Sequence, residues 1–350
     1  MRNSKNVQFY FIGSGSIREL KGLLDVKRVS SQDFAVYVID HYFEEKNLLD
    51  LSSSTPNDDI LYADTTLEPR AEYIDLLADR VKSKGDLPIA VVGIGGGSTL
   101  DIAKAISILL TNPGKAEEYQ GWDLVKNRAV YKIGIPTIAG TGAEFTRTAV
   151  ITSSTKKLGM NSDQSVFDQV IMDPDLLKTV PTEQFIYTAM DCMVHNVESL
   201  RGSQNDEMTI ALAQKSLEMI KGIFLGDMNY ERLMVASALG GLVVANSNVG
   251  ICHPLSYGLS LVLGLHHGYS ICIAFNQLEE YYPEVKEFKL ILEKYGIKLP
   301  KVVTDSVSDY DIDRMAEATL KNERPLENAF GPNWREIFTK DKVVELIKKM

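Results

Sequence analysis

Apolar residues follow two different rhythms along this chain, and the change between them falls near residue 180. Before it, short runs rich in β-branched residues stop at turn-forming ones. Ala35-Val36-Tyr37-Val38-Ile39 stops at Asp40, and Ile89-Ala90-Val91-Val92 at Gly93. Tyr131-Lys132-Ile133-Gly134-Ile135 stops at Pro136, and Val170-Ile171-Met172 at Asp173-Pro174. Helical periodicity lies between them, roughly over 69–83 and 98–110. Continuous apolar strands alternating with helices predict a parallel sheet buried on both faces. Residues 153–169 read as a mixed, hairpin-like excursion. Val180-Pro181-Thr182-Glu183 then reads as a turn and helix start. Beyond it the apolar positions keep helical spacing over 184–200, 206–223, 230–245 and 341–349, with no strand pattern. The expected fold is α/β plus all-α: an N-terminal parallel-sheet domain over 1–179 and a helical domain over 180–350.

Composition narrows the function classes. The 350 residues are more than one typical domain needs, and 45% hydrophobic with 24% charged residues is ordinary globular usage. A net charge of −10 without a Lys/Arg block argues against nucleic acid and anionic membrane as partners. The first residues lack the apolar core of a secretory signal. The longest apolar region, near 249–275, is broken by His, Ser and Gly, so no membrane span is expected. Cys192, Cys252 and Cys272 form no disulfide framework and suit reduced thiols. A cytoplasmic homodimer is the expected setting.

Two loops at strand ends carry ligand chemistry. Gly93-Ile94-Gly95-Gly96-Gly97-Ser98 follows a strand and opens a helix, so backbone can approach a phosphate while the helix N-terminus supplies N–H groups. It is not a P-loop, because no Lys-Ser/Thr follows the last glycine. A glycine-rich βα turn, with Asp101 complementing the helix dipole, is the plain alternative. Pro136-Thr137-Ile138-Ala139-Gly140-Thr141-Gly142 offers hydroxyls and glycines that suit pyrophosphate or ribose. Asp40, at another strand end, would take adenosine ribose hydroxyls and repel a 2′-phosphate, which favours NAD over NADP. The alternative for Asp40 is a helix cap.

The helical half holds four of the five histidines, His195, His253, His266 and His267. Asp191 and His195 are four apart, hence on one helix face and able to share an ion, or only a buried hydrogen bond. His253 and His267 are fourteen apart; on an unbroken helix they would be separated by about 21 Å. The chain must turn back between them if they share a ligand, with Gly258 and Gly264 as the expected places. Asp191, His195, His253 and one of the His266–His267 pair form an Asp-His₃ set suited to Fe(II), Zn(II) or Mn(II). Cys192 and Cys252 adjoin these residues and read as small buried hydrophobes; Cys192 with His195 would instead favour zinc.

Taken in order, Gly95-Gly96-Gly97-Ser98-Thr99-Leu100-Asp101-Ile102-Ala103-Lys104, Pro136-Thr137-Ile138-Ala139-Gly140-Thr141-Gly142-Ala143-Glu144, Asp191…His195…Glu198 and His253…His267-Gly268 resemble the iron-containing (group III) alcohol dehydrogenases over about residues 10–345. The resemblance implies a dinucleotide-binding α/β domain, a helical metal-binding domain and an active site in the cleft between them. It places metal ligands on Asp191, His195, His253 and His267, choosing His267 over His266. It places cofactor contacts on Gly96, Gly97, Ser98, Thr137, Thr141 and Lys157. It implies NAD and one divalent metal, Fe(II) or Zn(II). Tyr257 stands where the family often has a further His. Ile138 and Ala143 replace the usual Thr and Ser, and Thr66-Leu67-Glu68-Pro69 replaces an Asn-Pro segment. These departures mark an outlying branch. His253-Pro254-Leu255-Ser256-Tyr257-Gly258 and Leu265-His266-His267-Gly268 look most like the 3-deoxy-manno-octulosonate 8-oxidase branch of lipopolysaccharide sugar biosynthesis.

The expected function is hydride transfer between a primary alcohol and a nicotinamide cofactor. Arg147 and Arg201 are candidate partners for a substrate carboxylate, or plain surface charges. Tyr257 is the candidate for holding a sugar hydroxyl or passing on its proton. Alternatives are a simple alcohol or glycerol dehydrogenase of the same family, a sugar-phosphate cyclase of the dehydroquinate synthase type, and a non-enzymatic NAD sensor. The cyclase needs several cations around a phosphate, and only Arg147, Arg201 and Lys157 are available.

Overall fold

A computed structural model describes residues 5–46, 53–154 and 156–350. The chain divides into two compact units: Met1–Ala139 with Ala143–Val180, and Gly140–Gly142 with Pro181–Met350. The three-residue exchange at Gly140–Gly142 is a feature that a single boundary near 180 does not contain.

The first unit is built on strands β1 (Phe9–Ile12), β2 (Ala35–Asp40), β3 (Asp59–Ala63), β4 (Ala90–Gly95), β5 (Gly121–Trp122), β6 (Lys132–Pro136), β7 (Thr148–Thr152), β8 (Lys157–Asn161) and β9 (Gln169–Met172). Its helices are α1 (Glu19–Asp25), α2 (Tyr42–Lys46), α3 (Ala71–Lys82) and α4 (Gly97–Leu109). Six strands form one parallel sheet in the order β1-β9-β6-β4-β2-β3. The apolar runs have to be continuous because each strand feeds two cores. In β2, Val36 and Val38 pack with Ile74 and Leu77 of α3 and Ile102 and Ile106 of α4, whereas Ala35, Tyr37 and Ile39 pack with Leu20 and Leu24 of α1. Strands β7 and β8 pair antiparallel, with β5 added on β8, so the excursion over 153–169 holds one strand of a hairpin, β8, whose partner β7 precedes it. Strands β1 and β3 lie outside the four apolar runs that the sequence pattern singles out.

Chain order reverses at β2 and β4: the chain leaves β2 outward to β3, then returns to β4 on the other flank of β2. The carboxyl ends of such a strand pair are where open α/β sheets bind ligands. Register puts Ile39 opposite Ile94 and Gly95 opposite Pro136, so Asp40 closes β2 beside Gly96 and Thr137, which directly follow β4 and β6.

The second unit is helical among the described residues: α5 (Thr182–Arg201), α6 (Glu207–Leu225), α7 (Tyr230–Asn246), α8 (Cys252–Leu263), α9 (His267–Phe275), α10 (Val285–Lys294), α11 (Asp309–Leu320), α12 (Glu323–Phe330), α13 (Trp334–Ile337) and α14 (Lys340–Lys349). Polar caps set several starts. Asp206 accepts from Thr209 N–H, Asn229 from Arg232 N–H and Ser308 from Asp311 N–H. Among the described residues, no helix is long and apolar enough to cross a membrane.

Candidate functional site

In the first unit, α4 begins directly after β4, with Gly96 at its N-cap and no side-chain cap on its first turn. Gly96, Gly97 and Ser98 are half-buried, and the first-turn N–H groups point out of the helix start. The four glycines of this loop do different things. A Cβ on Gly93 would lie 2.8 Å from Ala103 Cβ, and one on Gly95 2.5 Å from the Thr99 side chain. Those two let α4 lie close over β4. Gly96 and Gly97 are left as the pair that opens the helix N-terminus. Asp40 is more engaged than its sequence position suggests. Its Oδ1 accepts from Tyr42 N–H at 3.0 Å, the helix-cap alternative. Its Oδ2 accepts from the Thr65 and Thr99 hydroxyls at 3.0 and 3.2 Å. Asp101 does not serve the helix dipole alone: its Oδ2 accepts from Val150 N–H on β7 at 2.9 Å, and burial pushes its carboxyl up to about 6.

The second polar loop is shared between the units. Thr137 N–H donates to the Gly95 carbonyl at 3.0 Å. Thr141 lies among residues of the second unit, where the Gly140 and Gly142 N–H groups donate to Ser237 Oγ of α7 at 2.8 and 3.2 Å. A Cβ on Gly140 would lie 1.7 Å from the Thr188 carbonyl oxygen, and one on Gly142 2.5 Å from Gly241 Cα. Packing against α5 and α7 therefore requires glycine at both positions.

In the second unit, Asp191, His253 and His267 each present an atom within 4.8 Å of the others. Asp191, on α5, is fully buried, and neither carboxylate oxygen has a hydrogen-bond partner. His253 Nε2 lies 3.3 Å from Oδ1, His195 Nε2 3.6 Å from Oδ1, and His267 Nε2 3.5 Å from Oδ2. His195, one turn along α5, stands beside that group of three and outside it, its ring stacked on that of His253 at 4.7 Å. The return of the chain between His253 and His267 occurs at Gly264, the left-handed C-cap of α8 at φ 69°. Gly258 is not a turn: it lies within α8, where a Cβ would meet the Met315 carbonyl oxygen of α11 at 2.7 Å. His266 is exposed at the N-cap of α9, and His267 begins that helix.

The electrostatics fit a cation. Burial pushes the Asp191 carboxyl up, yet the facing imidazoles outweigh it and hold the group well below the usual carboxylate range. Burial takes His195 down to about 4, so its imidazole is neutral at physiological pH, as a ligand must be. Burial also works against a charge on His253, but Glu198 and Asp191 prevail and raise it to about 9. Positive charge is thus favoured beside Asp191. Glu198 is the residue that the sequence motif contained without a role. It is buried, 2.5 Å from His253 Nδ1 through Oε2, and it accepts from Cys252 N–H at 2.6 Å through Oε1. Its signal was spacing: it falls three residues after His195 and seven after Asp191, on their face of the helix.

Other predicted residues stand elsewhere. Tyr257 adjoins the cluster, its ring 5.7 Å from that of His267 and 6.2 Å from that of His253. Lys157 is buried in an ion pair with Glu68 at 3.1 Å. Arg147 spans Asp123 at 2.6 Å and Asp163 at 3.1 Å, and Arg201 pairs with Glu284 at 2.8 Å. Neither arginine presents an uncommitted guanidinium, so the expectation that they hold a substrate carboxylate is not supported by their geometry. The Cys192 thiol faces Ser216 Oγ and donates to the Ala236 carbonyl, which removes the Cys192–His195 alternative. Burial pushes the Cys252 and Cys272 thiols up, away from reactivity.

The model of "Iron-containing alcohol dehydrogenase" matches residues 8–174, and that of "Fe-containing alcohol dehydrogenase family, C-terminal" matches residues 185–295. The chain belongs to the iron-containing alcohol dehydrogenase family. Within this family of alcohol-acting oxidoreductases, it resembles sulfoacetaldehyde reductase of Bilophila wadsworthia (strain 3_1_6), 32% identical over 67% of this chain and 62% of that protein. It also resembles NAD-dependent methanol dehydrogenase of Bacillus methanolicus, 31% identical over 74% of this chain and 70% of that protein. The match with the first of these therefore spans less than two thirds of that relative's length. An alcohol dehydrogenase structure from Oenococcus oeni superposes with a TM-score of 0.85 over 100% of both chains at 21% identity, which establishes the shared fold.

Proposed function

We propose that this family member transfers hydride between an alcohol and NAD with the help of one divalent ion, Fe(II) or Zn(II). Asp191 carries the proposal: a buried carboxylate with no hydrogen-bond partner, faced by three imidazole nitrogens. Burying a carboxylate that accepts no hydrogen bond is costly, and one carboxylate with imidazoles suits such ions. A divalent ion held by Asp191, His195, His253 and His267 supplies a Lewis acid for the alcohol oxygen. His267 is 23% exposed, His195 7%, and the other two almost fully buried, so the substrate oxygen is assigned to the His267 side. Tyr257, beside His267, holds or moves a proton at its phenolic oxygen.

The dinucleotide is assigned to the first unit. Its phosphates would take the open N–H groups at Gly96, Gly97 and Ser98, with Thr137, Thr141 and Lys157 as further contacts and Asp40 against a ribose. Bound nicotinamide supplies the hydride acceptor. Metal analysis combined with an alcohol panel followed at the NADH absorbance tests the proposal. NAD binding without metal binding would favour a sensor, and turnover of a sugar phosphate without net NADH would favour a cyclase.

Two narrower parts of the proposal have their own support. Oxidation of C8 of 3-deoxy-manno-octulosonate rests on the His253–Gly258 and Leu265–Gly268 segments alone, since Arg147 and Arg201 are committed elsewhere. Higher kcat/KM for C2–C4 alcohols or glycerol than for the acidic sugar would remove it and leave a simple alcohol dehydrogenase. A homodimer is supported by the apolar edge strand β1, where Phe9 is 64% and Tyr10 59% exposed. A monomer by sedimentation equilibrium would remove that part.

A further inference from the structure

Glu198 touches no candidate substrate position, yet it is held more completely than any other carboxylate near the cluster. It is 1% exposed, and both of its oxygens are used. Oε2 lies 2.5 Å from His253 Nδ1. Oε1 accepts the N–H of Cys252 at 2.6 Å and lies 3.5 Å from Tyr282 Oη. Cys252 is the first residue of α8, whose N-cap, Ile251, makes no side-chain cap. One carboxylate therefore holds both the ring of His253 and the backbone of the residue before it. The chain passes so near that a Cβ on Gly250 would lie 2.5 Å from Tyr282 Oη and 3.1 Å from Glu198 Oε1.

We propose that Glu198 is a positioning residue that fixes which nitrogen of His253 is offered to the metal. The proposal rests on the metal assignment made above. An ionised carboxylate only accepts hydrogen bonds, and a neutral imidazole has one N–H and one lone pair. Facing Glu198, the ring must carry its proton on Nδ1. Nε2, the atom 3.3 Å from Asp191 Oδ1, then keeps its lone pair for the ion. A purely structural role, capping α8, would need only an acceptor for Cys252 N–H.

Glu198→Gln separates the two roles. Glutamine has the same length and can still accept from Cys252 N–H, but it then turns its NH₂ toward His253 Nδ1. That NH₂ donates, which drives the ring proton to Nε2 and blocks coordination. The full-length protein is stripped with a chelator and titrated with Zn(II) against a chromophoric competitor. The variant should unfold at the same temperature as stripped wild type and bind Zn(II) about 10–100-fold more weakly. Equal affinity would overturn the proposal and leave a cap. If the variant does not fold, ¹⁵N NMR of the zinc-loaded wild type decides: His253 should carry its proton on Nδ1, and a proton on Nε2 overturns the assignment. A wild type that takes up no Zn(II) overturns the metal assignment and this proposal with it, a result distinct from equal affinity of the two proteins.

Discussion

His266 and His267 are adjacent in sequence and opposite in circumstance. His266 is an exposed cap residue, while His267 Nε2 lies 3.5 Å from Asp191 Oδ2. His267→Ala should therefore lose its metal by elemental analysis and at least about a hundredfold in kcat/KM, the few kcal/mol that a Lewis acid supplies. His266→Ala should lose neither, and full metal occupancy in His267→Ala would sink the assignment. How far these residues are legible in sequence depends on how local their relationships are. Asp191 and His195 are visible as a pair because four residues on a helix fix their geometry. His253 and His267 can be brought together by arithmetic, because an unbroken helix would hold them too far apart. The role of Glu198 is not legible, since its partner His253 lies 55 positions away. Arg147 and Arg201 look the same in sequence whether committed or open. Asp123, Asp163 and Glu284, which commit them, are set by the fold.

Elements add constraints that residue types do not reveal. The Gly93–Ser98 loop reads as one permissive stretch, but the crossing of α4 over β4 divides it. Gly93→Ala should destabilise the protein by about 1–3 kcal/mol through overpacking against Ala103, read as a lower denaturation midpoint. Gly97→Val should leave the midpoint nearly unchanged and weaken NAD binding at least tenfold by calorimetric titration; wild-type affinity would exclude α4 as the phosphate site. The turn between α8 and α9 couples backbone to chemistry. Gly264 has φ 69°, where an L side chain costs about 1–2 kcal/mol. Gly264→Ala should lower stability by that amount and also weaken metal binding, because the turn aims His267. Unchanged affinity would show that the turn is mere connection. The runs that announced β2, β4, β6 and β9 are legible because those strands are buried on both faces. Strand β1 escaped: its four residues Phe9–Ile12 are exposed and, among the described residues, it pairs only with β9. In β3, alternate residues are half-buried, so its five residues give no continuous apolar run.

At the scale of the whole molecule, the two chemistries are housed in different folding units. All four proposed metal ligands come from Pro181–Met350, and the loop at Gly96–Ser98 from Met1–Ala139. This separation has a measurable consequence. An ion that binds only the native arrangement of its ligands stabilises it by RT ln(1 + [L]/Kd), about 2.7 kcal/mol at a hundredfold excess over Kd. That stabilisation should appear where the ligands are anchored. Three helices, α5, α8 and α9, carry them, and they also pack on one another: a Cβ on Gly268 of α9 would lie 3.0 Å from the Tyr187 carbonyl of α5, and Cys252 Sγ of α8 is 3.5 Å from the Ile271 carbonyl of α9. Hydrogen exchange followed by mass spectrometry, on stripped and metal-loaded protein without NAD, should show slower exchange in peptides covering 182–201, 252–263 and 267–275. Peptides covering β2, β4 and β6 should exchange at the same rate in both states, because their hydrogen bonds belong to a sheet that contributes no ligand. Added NAD should reverse the pattern's emphasis, slowing the first turn of α4, whose N–H groups have no side-chain cap. Metal-induced protection spread evenly over strands and helices would mean that the ion stabilises the chain as a single cooperative block. Protection absent from α8 and α9 would mean that His253 and His267 do not hold it.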